Sequence, residues 1–356
     1  MTLLARLPRI GLGLAALGRP GYINLERSVD LADRSVEAMQ ERAFVVLDAA
    51  FQAGVRYFDC ARSYGHSEVF LRKWLDARAL SSDEVVVGSK WGYSYTADWQ
   101  IDVPGGGPHE VKDHSLERLL KQSAESIAIL GASSGGSQSG EAGEEGGFLD
   151  EVEDWTVVPA TPSEGGGYLN LYQIHSATLE SGVLEDKAVL DYLVELREQH
   201  GLRLGLSLSG VAQSETLKRA AATGVFDAVQ ATFNVLEQSA GDALLEAHRD
   251  YGMEVIVKEA MANGRVLSGR CGEALTTAAN SRGCSPDALA LALVVGQPFQ
   301  PLVLSGAVTE GQIRSNTDAM ALAEDISGAG EMDALLESLR MSPEDYWQER
   351  SGLTWN

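Results

Sequence analysis

The segment YLNLYQIHSATLESGVLEDKAVLDYLVELREQHGLRLGLS, residues 168–207, contains the clearest indication of the fold class. It begins with an apolar run at Tyr168–His175, which is typical of a strand covered on both faces. An amphipathic stretch follows at Asp186–His200 and ends at Gly201, as a helix with a glycine C-cap does. A second apolar run occupies Leu202–Ser207. The segment therefore predicts a strand, a helix and a second strand parallel to the first.

The same alternation occurs along the rest of the chain. The other strand candidates are Arg9–Leu14, Val55–Asp59, Glu84–Ser89, Ala228–Thr232, Glu254–Lys258 and Pro301–Ser305. The other helix candidates are Ala38–Ala53, Ser67–Arg78, His114–Leu130, Ala212–Thr223, Gly241–Tyr251, Pro286–Val295 and Thr309–Ala323. This alternation favours the α/β class and a parallel (β/α)8 TIM barrel, although a doubly wound sheet shares the pattern.

One segment, Gly131–Gly167, interrupts the alternation. It contains 10 Gly, 8 acidic residues and no Lys or Arg. It lies between a predicted helix and a predicted strand, where a short connection is expected. Such a polar stretch buries too little apolar surface to offset the entropy of ordering it. We therefore expect one barrel domain over residues 1–356, with a flexible Gly-rich and acidic surface insertion at 131–167. A loop that binds a partner protein is the alternative.

Composition narrows the classes of partner and compartment. The net charge of −23 and the pI near 4.6 describe an acidic protein, whose surface repels nucleic acid and anionic membranes. No run of 18 apolar residues occurs, and the first residues lack the apolar core and cleavage site of a signal peptide. Cys60, Cys271 and Cys284 form no CxxC pair, which fits a reducing compartment. We expect a cytoplasmic protein that binds neither nucleic acid nor membrane; its oligomeric state is left open.

Four ionisable residues fall at or just after the carboxyl ends of neighbouring strand candidates. Asp59 ends the second strand and Tyr64 lies in the loop after it. Lys90 follows the third strand and His175 ends the fourth. The carboxyl ends of barrel strands meet at one face, where active sites form. The sequence therefore predicts that these four side chains converge.

The motifs around these residues resemble the aldo-keto reductase superfamily. Residues 55–68, VRYFDCARSYGHSE, are similar to the family segment FDTAxxYGxSE. Residues 88–92, GSKWG, resemble its third-strand lysine motif, and residues 172–176, YQIHS, resemble its fourth-strand histidine motif. The stretch from Gly306 to Asn316 is also similar to the family. The resemblance covers nearly the whole chain outside the insertion and implies an NAD(P)H-dependent oxidoreductase.

The resemblance implies a catalytic tetrad of Asp59, Tyr64, Lys90 and His175 that reduces an aldehyde or ketone. Tyr64 is expected to donate the proton to the carbonyl oxygen. A tyrosine with a pKa of about 10 is a poor acid, and a nearby Lys90 ammonium should lower that pKa. Asp59 should hold Lys90, and His175 should orient the carbonyl. No metal is needed, because Tyr64 and His175 together polarise the oxygen.

The resemblance also implies NADPH as the cofactor, with NADH as the alternative. It assigns the nicotinamide carboxamide to Ser207 and Gln230. Many members carry Asn after that Ser, whereas this chain has Leu208, so Ser209 is the expected substitute. Many members also stack an aromatic residue on the nicotinamide where this chain has Lys258, which cannot stack in the same way and is expected to meet a cofactor phosphate or Glu259 instead.

At the adenosine end, Asn316 matches the residue that contacts adenine. Members that bind the 2′-phosphate often carry Lys or Arg where this chain has Gly306 and Gln312. A phosphate is held best by cationic side chains. We therefore expect Arg265 and Arg314 to take that role.

Trp91 and Tyr93 follow Lys90 almost directly. Aromatic side chains in this loop line the pocket for an apolar or planar carbonyl substrate, or they pack the loop against the barrel. Two other functions remain open. One is a sugar or polyol dehydrogenase that runs the reverse reaction with NAD(P)⁺, and the other is a cofactor-sensing partner subunit in which turnover is incidental.

Overall fold

A computed structural model of the chain describes residues 3–23, 33–132, 167–326 and 330–356. The described strands are β1 Ile10–Gly13, β2 Tyr57–Asp59, β3 Val86–Trp91, β4 Tyr93–Tyr95, β5 Glu110–Lys112, β6 Leu169–Ala177, β7 Arg203–Leu208, β8 Ala228–Thr232, β9 Glu254–Lys258 and β10 Leu302–Ser305. The described helices are α1 Val36–Gln52, α2 Ser67–Ala77, α3 Leu116–Leu130, α4 Lys187–His200, α5 Gln213–Thr223, α6 Gly241–Tyr251, α7 Gly269–Arg282, α8 Pro286–Val295, α9 Glu310–Ile326, α10 Gly330–Leu339 and α11 Pro343–Ser351.

The barrel strands are parallel and close in the order β1-β10-β9-β8-β7-β6-β3-β2. The predicted (β/α)8 barrel is confirmed, because a doubly wound sheet leaves two open edges. Strands β8 and β9 have the predicted bounds. They are short and buried on both faces, which is why their sequences read as nearly continuous apolar runs.

Local capping explains why the helices end where the sequence predicts. The carboxylate of Asp186 accepts hydrogen bonds from the backbone N–H groups of Ala188 and Val189, which begins α4. Gly201 ends the same helix with a φ of 66°, a conformation that glycine adopts without strain. These two caps set where α4 begins after β6 and where it ends before β7.

Several elements are missed by the strand–helix pattern. Helix α7 carries few apolar residues at helical spacing, so its sequence gives only a weak helical pattern. Helices α10 and α11 lie after the last barrel strand, beyond the predicted strand–helix units. Strands β4 and β5 form an antiparallel two-stranded sheet beside the mouth of the barrel. They are three residues long, so their sequences carry almost no periodicity.

The predicted insertion at 131–167 lies outside the described residues except at its ends. At those ends the backbone N–H of Gly167 donates to the carbonyl of Ala132 at 3.1 Å. The chain therefore leaves α3 and returns to β6 at adjacent points. The flexibility of the insertion and the single-domain organisation stay predictions. No described helix combines the length and the apolar character that spanning a membrane requires.

Candidate active site

A cleft of about 720 Å³ opens at the carboxyl ends of the barrel strands. Its wall includes Asp59, Tyr64 and His175, and we call this part the tetrad end. The wall also includes Gln312 and Asn316 of helix α9, and we call this part the α9 end. One continuous cleft thus joins the predicted catalytic residues to the predicted adenine-binding residue.

Asp59 and Lys90 form a buried ion pair at the base of the tetrad end. Their side chains are 3% and 0% exposed. The ammonium of Lys90 donates to Asp59 Oδ2 and, at 2.9 Å, to the carbonyl of Cys60. Asp59 Oδ1 accepts hydrogen bonds from Gln230 at 3.0 Å and from Tyr57 at 3.2 Å. Both charges are therefore compensated, as buried charges must be.

Tyr64 and His175 approach each other above this pair. The hydroxyl oxygen of Tyr64 lies 3.4 Å from His175 Nε2, and the ammonium of Lys90 lies 4.8 Å from the centroid of the Tyr64 ring. Ser63 Oγ lies 3.4 Å from His175 Nδ1. The structure therefore brings all four predicted tetrad residues together.

Two glycines allow the loop that carries Tyr64 to approach the barrel closely. A Cβ on Gly18 would lie 2.3 Å from the carbonyl oxygen of Tyr64. Gly65 has a φ of 57°, and a Cβ there would lie 2.4 Å from the carbonyl oxygen of Gly18. No side chain fits at either position, so the Tyr64 loop depends on both glycines.

Burial raises the pKa of Tyr64 well above its usual value near 10. The negative charge of Asp59 raises this pKa further, and the guanidinium of Arg19 lowers it. The expectation that Lys90 gives Tyr64 a lowered pKa is therefore wrong. Desolvation of the phenolate outweighs the attraction of the ammonium, whose charge is shared with Asp59.

A bulge in β6 turns His175 and Ser176 toward the cleft. The pairing of β6 with β7 shifts register between Ile174 and Ala177, and Ser176 has a φ of 53°. The backbone N–H of Ser176 donates to Ser207 Oγ at 2.8 Å, which holds the bulge. Bulges beside active sites commonly redirect a side chain in this way.

Of the residues predicted for the nicotinamide, Gln230 and Lys258 line the cleft, and Ser207 does not. Ser207 is fully buried, and its hydroxyl oxygen accepts a hydrogen bond from the backbone N–H of Ser176. Ser209 lines the cleft instead. Gln230 donates one N–H of its amide to Asp59 at 3.0 Å, so its second N–H and its oxygen remain for a carboxamide.

The aldo/keto reductase family model matches residues 9–132 and 164–337. The chain belongs to the aldo/keto reductase family. The residues between the two matched segments all fall within the predicted insertion at 131–167, so the family sequence continues on both sides of it.

Among curated family relatives, the aldo-keto reductase str7 of Strobilurus tenacellus is 35% identical over 113 residues, which cover 30% of this chain and 28% of that protein. Norsolorinic acid reductase B of Aspergillus parasiticus is 30% identical over 92 residues, which cover 23% of this chain and 24% of that protein. The chain thus matches only about a quarter of the length of these relatives.

Solved structures of aldo/keto reductases show the same fold. A Klebsiella pneumoniae enzyme in complex with NADP and acetate is 18% identical, with 94% of this chain and 91% of that chain covered and a TM-score of 0.59. The glycerol dehydrogenase AKR11B4 of Gluconobacter oxydans is 17% identical, with the same coverage and a TM-score of 0.62.

Two family-based expectations for the α9 end are not supported by the positions of the residues. Arg265 lies outside the cleft, where its guanidinium is 4.2 Å from the ring centroid of Tyr346 and 3.2 Å from Glu349. Arg314 also lies outside it, 72% exposed and 3.6 Å from Glu310 on the same helix. Arg265 is turned away because it packs against helix α11, which follows the last barrel strand.

Asn316 does line the cleft, and its amide donates to Ser305 Oγ at 2.7 Å. Gln312 lines it as well and accepts from the backbone N–H of Val308 at 2.8 Å. The α9 end is therefore built from amide and hydroxyl groups, together with the carboxylate of Asp287.

The two predicted substrate-pocket aromatics have different positions. Tyr93 lines the cleft, and its ring centroid lies 4.9 Å from that of His175. Trp91 is fully buried, and its ring lies 5.7 Å from that of His114. Trp91, the last residue of β3, belongs to the hydrophobic core and does not line the cleft.

Arg19, Glu110 and Trp355 line the tetrad end and are missed by the sequence analysis. Arg19 is 2% exposed, lies 5.1 Å from the Tyr64 ring centroid and donates to Glu110 at 2.7 Å. Trp355 stacks on His109 with ring centroids 4.2 Å apart, and the Arg19 guanidinium lies 4.7 Å from its ring. None of these residues ends a barrel strand or belongs to a motif, so no sequence signal marks them.

We expect the protein to lose stability as the pH falls from 7 to 5. Burial holds the pKa of His175 well below its usual value near 6.5 and lowers the pKa of His114 to about 4. Both imidazoles accept a proton near pH 6.5 in the unfolded chain but not in the folded protein. Protonation below that pH therefore stabilises the unfolded state and lowers the free energy of unfolding. This stability is fully present above pH 6.5 and is lost as the pH falls toward the folded pKa values.

Thermal unfolding measured at several pH values tests this prediction. His114→Gln keeps a donor for the carbonyl of His175, which His114 contacts at 2.9 Å. The variant should therefore show a smaller decrease in melting temperature between pH 7 and 5. An identical pH dependence in the variant and the wild type contradicts the role assigned to His114.

Proposed function

We propose that this chain reduces the carbonyl group of an aldehyde or ketone to an alcohol, with Tyr64 as the proton donor and NADPH as the hydride donor. The observation that carries the proposal is the distance of 3.4 Å between the Tyr64 hydroxyl and His175 Nε2 at the wall of the cleft. Two hydrogen-bonding groups this close can hold a single carbonyl oxygen. The ammonium of Lys90 lies 4.8 Å from the centroid of the Tyr64 ring.

The residues present fit a dinucleotide. Ser209 and Gln230 offer hydroxyl and amide groups near the tetrad, and Gln312 and Asn316 offer amides at the α9 end. A Cβ placed on Gly306 meets no atom within 4 Å, so the loop before α9 leaves open space beside the cleft. The amino-terminal end of a helix such as α9 favours phosphate groups.

The choice of NADPH is supported by the NADP bound to the Klebsiella relative. NADH is the alternative, because Arg265 and Arg314 lie outside the cleft and would not hold a 2′-phosphate there. When bound, the reduced nicotinamide supplies the hydride for the carbonyl carbon.

The raised pKa of Tyr64 keeps its hydroxyl protonated until a substrate is bound. The proton then passes from the hydroxyl to the carbonyl oxygen, and the phenolate that remains needs positive charge nearby. Lys90 lies 4.8 Å and Arg19 lies 5.1 Å from the centroid of the ring. Both cations stabilise the phenolate form more than the neutral form.

His175 is neutral at physiological pH, because burial and the nearby Lys90 hold its pKa well below 6.5. A neutral imidazole donates from one ring nitrogen only. If the Ser63 hydroxyl donates to Nδ1, the proton of the ring lies on Nε2, which then donates to the substrate oxygen. In this arrangement His175 orients the carbonyl and Tyr64 protonates it.

The tetrad end of the cleft suits a planar or apolar carbonyl substrate. The aromatic rings of Tyr93 and Trp355 lie in its wall. Flat rings bind other flat rings over a large area with little loss of conformational freedom. We therefore propose aromatic aldehydes and ketones as the substrate class to test first.

The test is consumption of NADPH and of NADH by the purified protein with a panel of carbonyl compounds that includes 4-nitrobenzaldehyde. We expect turnover of aromatic aldehydes and faster consumption of NADPH than of NADH. The same protein with polyols and oxidised cofactor measures the reverse reaction. Cofactor binding without turnover of any compound favours a sensing subunit, and turnover of polyols alone favours a dehydrogenase.

A further inference from the structure

Lys258 places an ammonium group in the tetrad end of the cleft. It is the last residue of β9, and its side chain is 16% exposed. Its Nζ donates to the neutral hydroxyl of Thr232 at 2.8 Å, and the nearest carboxylate oxygen of Glu259 is 3.9 Å away. Lys258 therefore has a neutral close partner and a more distant anionic one.

The other charged side chains around this end of the cleft form close pairs of opposite charge: Asp59–Lys90, Glu110–Arg19 and Glu259–Arg350. Within the described parts of the chain, Lys258 thus leaves one positive charge in excess at this end. Asp287 lies at the α9 end, where it accepts a hydrogen bond from Ser315. Burial lowers the pKa of Lys258 to about 8, so the amine is mostly protonated at pH 7.

A nicotinamide ring that transfers hydride must occupy this same end, because Tyr64 and His175 hold the carbonyl oxygen there. Gln230, the proposed carboxamide partner, lies on β8, which pairs with β9 in a register that sets Thr232 beside Lys258. The oxidised nicotinamide ring is positively charged and the reduced ring is neutral. A fixed cation in this part of the cleft therefore raises the energy of the oxidised form alone.

We propose that Lys258 makes this cleft bind the reduced cofactor more tightly than the oxidised cofactor. The inference rests on the proposed function and explains how the site would select the reduced cofactor when both forms are present. Repulsion by Lys258 speeds the departure of the oxidised cofactor and limits inhibition by it. The equilibrium between the free reactants is unchanged, and hydride transfer on the protein becomes somewhat less favourable.

A contact between Lys258 and the cofactor diphosphate is the competing role, and the two roles predict different results. The diphosphate carries the same charge in both redox forms. Removal of a diphosphate contact would therefore weaken both forms by the same factor. Removal of a charge near the ring instead strengthens binding of the oxidised form relative to the reduced form.

The test measures the dissociation constants of NADPH and NADP⁺ for Lys258→Met, without substrate, by calorimetry or fluorescence titration. We expect the ratio of the oxidised to the reduced constant to fall about tenfold, as a unit charge a few ångströms from the ring would produce. Lys187→Met is the matched control, because it removes the same charge from an 84% exposed position on α4. Its ratio should equal that of the wild type.

Lys258→Gln keeps a hydrogen-bond donor for Thr232 and provides a second neutral variant if Lys258→Met folds poorly. A ratio that does not change in the folded neutral variant overturns the inference. An equal increase in the dissociation constants of NADPH and NADP⁺ also overturns the inference and assigns Lys258 to a contact with the diphosphate. If the wild type binds neither cofactor, the proposed function itself fails, and that result is distinct from an unchanged ratio.

Discussion

Tyr64→Phe is expected to lower kcat by about a hundredfold to ten-thousandfold, the range typical of a lost general acid. The substitution removes the hydroxyl that lies 3.4 Å from His175 Nε2. It keeps the ring, whose centroid is 4.8 Å from the Lys90 ammonium and 5.1 Å from the Arg19 guanidinium. The dissociation constant for NADPH should change little, because the hydroxyl is proposed to meet the substrate. Steady-state kinetics with 4-nitrobenzaldehyde and a cofactor titration measure the two quantities.

Tyr93→Phe is the matched control. Tyr93 lies in the same cleft, and its ring centroid is 4.9 Å from that of His175. The same chemical change there should lower kcat less than about tenfold, since no proton transfer is assigned to that hydroxyl. Comparable losses in the two variants, or near-normal turnover by Tyr64→Phe, would show that Tyr64 is not the proton donor.

Lys90→Met is expected to destabilise the fold by about 3–5 kcal/mol and to abolish turnover. Removing the ammonium leaves the Asp59 carboxylate buried without its cation, which is the most costly way to break a buried ion pair. It also removes the cation 4.8 Å from the Tyr64 ring. Urea unfolding measures the first effect and kcat the second.

The double variant Asp59→Asn/Lys90→Met separates the two effects. An amide oxygen at residue 59 can still accept the hydrogen bonds that Gln230 and Tyr57 donate to Asp59, and no buried charge remains. Most of the stability should therefore return, while turnover stays low. A double variant as unstable as Lys90→Met would show that the lone carboxylate is not the cause, and an active one would exclude Lys90 from the chemistry.

The alternation of apolar and amphipathic segments favoured the barrel and placed the strand ends within two residues. Strands β3 and β6 extend two residues past the predicted ends at Ser89 and His175, so Lys90 and His175 lie within the last residues of their strands. Apolar runs such as Ala228–Thr232 and helix caps such as Asp186 and Gly201 are patterns among near neighbours in the chain. They can therefore be recognised in the amino-acid sequence. The family motifs marked Asp59, Tyr64, Lys90 and His175, and the barrel geometry explains why such strand-end residues meet. Their catalytic roles stay proposals until the variants are measured.

Which side chains face the cleft could be seen only in the folded protein. Trp91 and Tyr93 are two residues apart, yet one is core and the other lines the cleft. Arg265 matched an expectation but packs on helix α11, whereas Arg19, which no pattern marks, lies against Tyr64. These outcomes depend on contacts between residues far apart in the chain, and local periodicity carries no information about such contacts.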